Sequence, residues 1–188
     1  MADVSVRPAR PDDAAEIARV QVETWRTAYA DLLPSVVLEQ LDAETAEATW
    51  AAAITTPPSP RHHVLVAQEQ DWRVGFVALG PAADLEDTDP EPASTVALAT
   101  ILVEPRWGRR GHGSRLLAAA VDHARADGMT RAVVWIPEGD GATLQFLVSA
   151  GWAQDGLVRA LDTGAGELRE LRLHTSLQLG DLDSDTAS

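Results

Sequence analysis

Residues 100–117, TILVEPRWGRRGHGSRLL, constrain the fold more than any other stretch of the chain. An apolar, β-branched run ends at Glu104-Pro105. A turn containing Gly108, Gly111 and Gly113 follows, and Leu116, Leu117, Ala120, Val121 and Ala124 then recur at helical spacing up to Gly128. A strand that feeds a helix through so short a turn lays that helix on a sheet face, which calls for a layered α/β architecture. The same turn carries Arg106, Arg109, Arg110 and Arg115 within a stretch that contains no acid. Glycine lets the backbone take positive φ and approach a ligand closely, and the helix start adds converging N–H groups and about half a positive charge. Strand, Gly-rich turn and helix start together make an anion site into which a pyrophosphate fits.

That basic cluster stands out because the chain as a whole is acidic, with 29 acids against 15 bases and a net charge of −14. All the bases are Arg. Non-specific nucleic-acid binding is disfavoured by this balance. Much of the negative charge is local: Asp84, Glu86, Asp87, Asp89 and Glu91 lie between residues 81 and 94, and Asp181, Asp183 and Asp185 lie at the end. The 188 residues suit one domain, and no apolar stretch approaches the roughly 20 residues that span a bilayer. The first residues, MADVSVRPARPDDAAE, lack a charged-then-apolar secretory pattern, and Cys is absent. A cytoplasmic protein without disulfide, thiol nucleophile or Cys-ligated metal is expected.

Periodicity supplies the remaining elements. A short strand at Val4 and Val6 leads to a helix opened by Pro11-Asp12-Asp13, and a second helical stretch runs from Pro34 through Trp50 to Ile54, ended by TTPPSP. HVLVA (63–67) and VGFVAL (74–79) read as a hairpin, residues 81–94 as a loop, STVALATILVEP as a long buried strand and AVVWI (132–136) as a strand covered on both faces. A helix from about Ala142 to Ala150 and strands near 157–162 and 168–174 complete a domain over 1–178. Residues 179–188 read as a disordered acidic tail.

Spacing restricts the phosphate ligand. A Walker loop needs a Lys, and a dinucleotide fingerprint needs a third glycine where Leu116 stands, so ATP, GTP and NAD are poor candidates. GRRGHG at 108–113, preceded by Val103-Glu104-Pro105, resembles the acyl-CoA loop of the GNAT acetyltransferase superfamily. VWIPEGDGATLQFLVSAGW (134–152), TWRTAYADLLP (24–34) and VGFVALGP (74–81) look like that family's fifth strand with its following helix, its first-helix segment and its third strand. The resemblance implies a mixed, mostly antiparallel sheet with flanking helices, whose parallel fourth and fifth strands splay apart around the pantetheine arm of acetyl-CoA, with no metal. It assigns backbone groups of Ile101, Leu102 and Val103 to that arm, and Arg109, Arg110, Gly111, His112, Gly113 and Ser114 to the pyrophosphate. Asp140 and Phe146 join the cofactor side. His112, inside the turn, is expected to meet phosphate or solvent.

The sequence also departs from the family pattern. The strand positions that often hold a general-base acid carry Ala97 and Trp135, the position of a proton-donating Tyr carries Leu147, and the helix-opening Asn is Asp140. Glu138 and then Asp84 are the substitute bases to consider, ahead of Glu91 and Glu104. Trp25 and Tyr29, four apart and so on one helix side, would form with Trp135 an aromatic wall for an amine. The implied activity is acetyl transfer from acetyl-CoA to a primary amine of a small molecule or peptide, by direct attack and without a covalent enzyme intermediate. The alternative is an acyl-CoA-binding sensor that has lost catalysis. Family members are often dimers, so a homodimer is among the expected assemblies, and the acidic loop is expected either to attract a cationic acceptor or to act as a flexible solubilising segment.

Overall fold

The computed structural model describes residues 4–86 and 88–178. The tail expected over 179–188 and Asp87 lie outside the described residues. Seven strands form one sheet in the order β1-β2-β3-β4-β5-β7-β6. They are β1 (Val4–Pro8), β2 (His63–Glu69), β3 (Trp72–Pro81), β4 (Thr95–Val103), β5 (Arg131–Pro137), β6 (Ala153–Asp162) and β7 (Glu167–Ser176). Every neighbouring pair is antiparallel except β4 with β5. The helices are α1 (Ala14–Ala28), α2 (Ser35–Glu39), α3 (Ala43–Thr55), α4 (His112–Ala126) and α5 (Gly141–Ser149).

Alternation along the strands divides the core in two. On one face Val66, Phe76 and Leu102 meet Ile17 and Val20 of α1, with Trp50 and Ile54 of α3 packed against them. The Trp50 ring sets its edge on Phe76 at 4.9 Å. On the other face Leu65, Val77, Leu98 and Val134 meet Leu116, Leu117 and Ala120 of α4. Asp13 ties the first face together: with no exposed surface, it accepts from Arg7 at 2.6 Å, from Arg73 at 2.9 Å and from the Arg10 backbone N–H at 2.8 Å. Burial alone would raise the Asp13 carboxyl, but these donors outweigh burial and hold it well below the usual range.

The feature that makes a site is the parallel pair. β4 and β5 are in register only from Thr95↔Arg131 to Leu98↔Val134. On its other side, β4 shifts register against β3: Leu98 faces Leu79 and Thr100 faces Ala78, leaving Ala99 as the extra residue of a bulge. A bulge bends its strand and strengthens the local twist, so beyond Ala99 the end of β4 leaves β5 and a cleft opens between them.

The helix read as continuous from Pro34 to Ile54 is two helices. The Asp42 carboxylate accepts from the Thr45 N–H at 2.8 Å and so caps α3, a stronger local signal than the apolar spacing that bridges it. The loop from 82 to 94 is not free. Asp84 accepts from Trp135 and Arg159, Asp89 is paired with Arg172, and Glu91 accepts from Thr130. Asp84 and Asp89 are thus used on cations of β6 and β7. The Arg172 guanidinium holds the Asp89 carboxyl below its ordinary value.

Candidate active site

The cleft has two connected compartments. One, of about 670 Å³, is lined by Ile101 and Val103 of β4, by the turn from Trp107 to Ser114, and by Ala142, Thr143, Gln145, Phe146 and Ser149 of α5. The other, of about 360 Å³, lies among α1, α2 and the β5–β7–β6 side of the sheet. Both are lined by Ile101 and Thr143, so the compartments meet where β4 leaves β5.

The first compartment is built for an anion at one end. Gly111 precedes α4 with φ of +81°, a conformation that carries little penalty only for glycine, and no side chain caps the helix. The first N–H groups of α4 are therefore left to the compartment. Gly113 brings the backbone against the Phe146 ring, where a Cβ would already stand 3.4 Å from the ring.

The four arginines of this turn are not equivalent. Glu104, buried, takes Arg106 and also Arg19 at 3.0 Å. Glu69 takes Arg110 at 3.1 Å, and Arg115 donates to the Arg110 carbonyl at 3.0 Å. Arg109, itself at φ +63°, has no such partner among the described residues and lines the compartment. The acid-free cluster read from the sequence thus receives its acids from β2 and from the end of β4. The imidazole of His112 corrects an expectation: it faces neither solvent nor the phosphate end. It is fully buried, with Nε2 on Glu69 at 2.8 Å and its ring edge-on to Trp107, and only its backbone belongs to the helix start.

Leu102, expected to offer its backbone to the cleft, lines neither compartment: it is paired with Phe76 on β3, and its side chain is packed on the opposite face. Asp140 caps α5, accepting from the Thr143 N–H at 3.0 Å. Leu147 is wholly buried in the α4-side core and lines neither compartment. Ala97 lies within the ladder between Gly80 and Val133. The rings of His63 and His123 meet at a tilt with centroids 4.8 Å apart, and His63 bonds Asp127 at 2.7 Å, away from the cleft.

Trp25, Tyr29 and Trp135, expected as an aromatic wall, all line the second compartment. Burial first, and then the negative charge of Asp140 and Glu170, push the Tyr29 phenol up, so it stays protonated. Trp135 donates its indole N–H to Asp84 at 2.8 Å and carries the Arg159 guanidinium over its ring at 4.5 Å. Glu138 is not brought to the cleft. Its carboxylate is half-exposed, bonds Arg169 at 2.8 Å and lines neither compartment. Glu104, clamped by two arginines, is equally committed. Of the two acids that line the second compartment, Asp162 is exposed and the buried one is Glu170, which the sequence reading passed over. Its signal lies in ELRELRL: Leu168, Glu170 and Arg172 share one face of β7, which places charge on a face whose cross-strand neighbours are Pro137 and Trp135.

A parallel strand pair splayed at a bulge and closed by an uncapped, arginine-bearing helix start defines an acetyltransferase-type α/β domain. The chain matches the family model for the acetyltransferase (GNAT) family over residues 21–152, and it belongs to that family. Among solved structures it resembles an N-acetyltransferase from Staphylococcus aureus Mu50 with a TM-score of 0.74, at 16% identity over 94% of this chain and 100% of that one. It also resembles yncA from Salmonella typhimurium, solved with its cofactor acetyl-CoA, with a TM-score of 0.69 at 18% identity over 97% of this chain and 98% of that one. Such likeness shows the fold. The uncharacterized N-acetyltransferase YuaI of Bacillus subtilis (strain 168) is 38% identical over 47 residues, which span 25% of this chain and 27% of that protein. Among the described residues no helix is long and apolar enough to cross a membrane.

Proposed function

We propose that this protein transfers the acetyl group of acetyl-CoA to a primary amine, of a small molecule or a peptide, by direct attack in a ternary complex. The observation that carries this reading is the junction of the two compartments at Ile101 and Thr143, which gives donor and acceptor separate entrances to one point. On the donor side, the N–H groups of His112, Gly113 and Ser114 together with Arg109 hold the pyrophosphate, and Arg110 adds charge. The backbone of Ile101 and Val103, which has no ladder partner on β5, takes the pantetheine arm as an added strand. Phe146 packs on that arm, and Asp140 keeps α5 in place. On the acceptor side, Trp25, Tyr29 and Trp135 enclose the amine, and Asp84 fixes the Trp135 ring.

Rate comes mainly from holding amine and thioester in line, with strand N–H groups facing the developing oxyanion. Purified protein with acetyl-CoA and a panel of primary amines should release free thiol in proportion to amide formed. Ala97, Trp135 and Leu147 at the usual acid and base positions support a second reading, a binding module without turnover. Tight acetyl-CoA binding with no thiol release on any acceptor would select that second reading.

A further inference from the structure

We infer that Glu170 is the acceptor-side base and that the acceptor is an apolar primary amine bearing no carboxylate; this rests on the acetyl-transfer reading above. Glu170 sits on β7 opposite Pro137 and is nine-tenths buried, yet it lines the acceptor compartment. One oxygen, Oε2, accepts from Arg159 at 2.6 Å. The other, Oε1, has no donor among the described residues and is not among the side-chain atoms sealed from solvent, so it stays accessible on a residue that lines the compartment. Arg159 is itself fixed, bonded to Asp84 at 2.9 Å and stacked on Trp135. A carboxylate held on one oxygen and open on the other is the arrangement that a primary ammonium requires, both to bind and to lose a proton.

The rest of the lining sets the acceptor class. Trp25, Tyr29, Leu33, Val37, Leu161 and Leu168 present apolar surface, and among the described residues no Arg or His lines the compartment. An acceptor carboxylate would find no cation there and would meet Asp162 and Glu170 instead. The charged and titratable groups around Glu170 are Arg159 and Asp162 of β6, the neutral phenol of Tyr29 on α1, and Asp84 beyond Arg159. The apolar body of an arylalkyl or alkyl amine fits the wall while its ammonium reaches Oε1.

In the reaction the ammonium gives one proton to Glu170, and the neutral nitrogen attacks the thioester carbonyl carbon. The tetrahedral adduct collapses with cleavage of the C–S bond, and the departing thiolate takes the second nitrogen proton. Amide and free CoA thiol result, and Glu170 returns its proton to water.

The test measures thiol release with phenylethylamine, hexylamine, phenylalanine, spermidine and a peptide with a free N-terminus, on wild type, Glu170→Gln and Glu170→Asp. Phenylethylamine or hexylamine should exceed phenylalanine in kcat/KM by about 100-fold, the scale of a like-charge clash in a partly buried site, and should also exceed the peptide, whose polar backbone finds an apolar wall. Near neutral pH, Glu170→Gln should lose about 100-fold with the acetyl-CoA Kd unchanged, and Glu170→Asp should recover part of that loss. Because a free amine needs no base, the deficit should narrow as pH rises toward the amine pKa of about 10.4. A purely structural role for Glu170 would give a deficit that does not change with pH, and that result, or a Gln variant equal to wild type, overturns the assignment. Equal or better turnover of phenylalanine or the peptide overturns the acceptor class alone. Acetyl-CoA binding with no turnover of any amine by wild type overturns the acetyl-transfer reading itself.

Discussion

Trp135 donates its indole N–H to the Asp84 carboxylate across 2.8 Å, and the same oxygen accepts from Arg159 at 2.9 Å. Through this contact the acidic loop before β4 becomes part of the acceptor wall, because Arg159 continues to Glu170. Asp84 therefore positions groups that face the acceptor, and its side chain is 42% exposed. Asp84→Ala should lower kcat/KM for the amine about 3–10-fold, the scale of one partly exposed charge-assisted hydrogen bond, with acetyl-CoA affinity unchanged. A loss above about 100-fold would make Asp84 the base.

Arg109 and Arg110 are adjacent but differently engaged. Arg110 shares Glu69 with His112 and lies over the Trp107 ring at 4.9 Å, whereas Arg109 has no such partner among the described residues. Arg109→Ala should weaken acetyl-CoA binding about 10–100-fold, as expected for a charge-assisted phosphate contact, and Arg110→Ala less than about 5-fold. Titration calorimetry on the two variants checks the order.

Asp13 is the most deeply buried ion-pair member, and its carboxyl is held well below the usual range. A depressed folded-state value means that the folded protein resists protonation more than the unfolded chain. The stabilisation is then complete above the unfolded value of about 3.9 and is lost as pH falls below it. Asp13→Asn should cost about 3 kcal/mol near neutrality and lower Tm by about 6–12 °C. The deficit should shrink on acidification, which thermal unfolding at stepped pH would show.

Leu147 occupies the place where related enzymes carry a proton-donating Tyr, yet it is wholly buried. Leu147→Tyr should destabilise by about 1–3 kcal/mol through overpacking and should not raise the rate. A faster enzyme would show that this position does reach the cleft.

What was legible in the sequence was what is local. The turn from Gly108 to Gly113, the helix after it and the apolar strands declare themselves through glycine placement and periodicity, and the structure keeps them within a few residues. The division between α2 and α3 was missed because apolar spacing runs across Asp42, whose cap is visible only once the Thr45 N–H points at it. His112 and Arg110 were misjudged for a different reason. Their acidic partner Glu69 lies on β2, so those pairings exist only after the sheet has formed. Glu170 was overlooked because an acid between Arg169 and Arg172 reads as a solvated strand face. Its burial follows from β7 lying between β5 and β6 under the tethered loop.

If the splayed cleft and the α4 start form an acyl-CoA site, binding there should stabilise the folded protein. Thermal unfolding with acetyl-CoA, CoA and ATP, each titrated to high excess, tests it most directly. At 100 times its dissociation constant, acetyl-CoA should add about 2.7 kcal/mol, or about 5–10 °C in Tm for a chain of this length. CoA should act similarly and ATP little. No shift with either CoA species would contradict that site, and the acetyltransferase reading would fall with it.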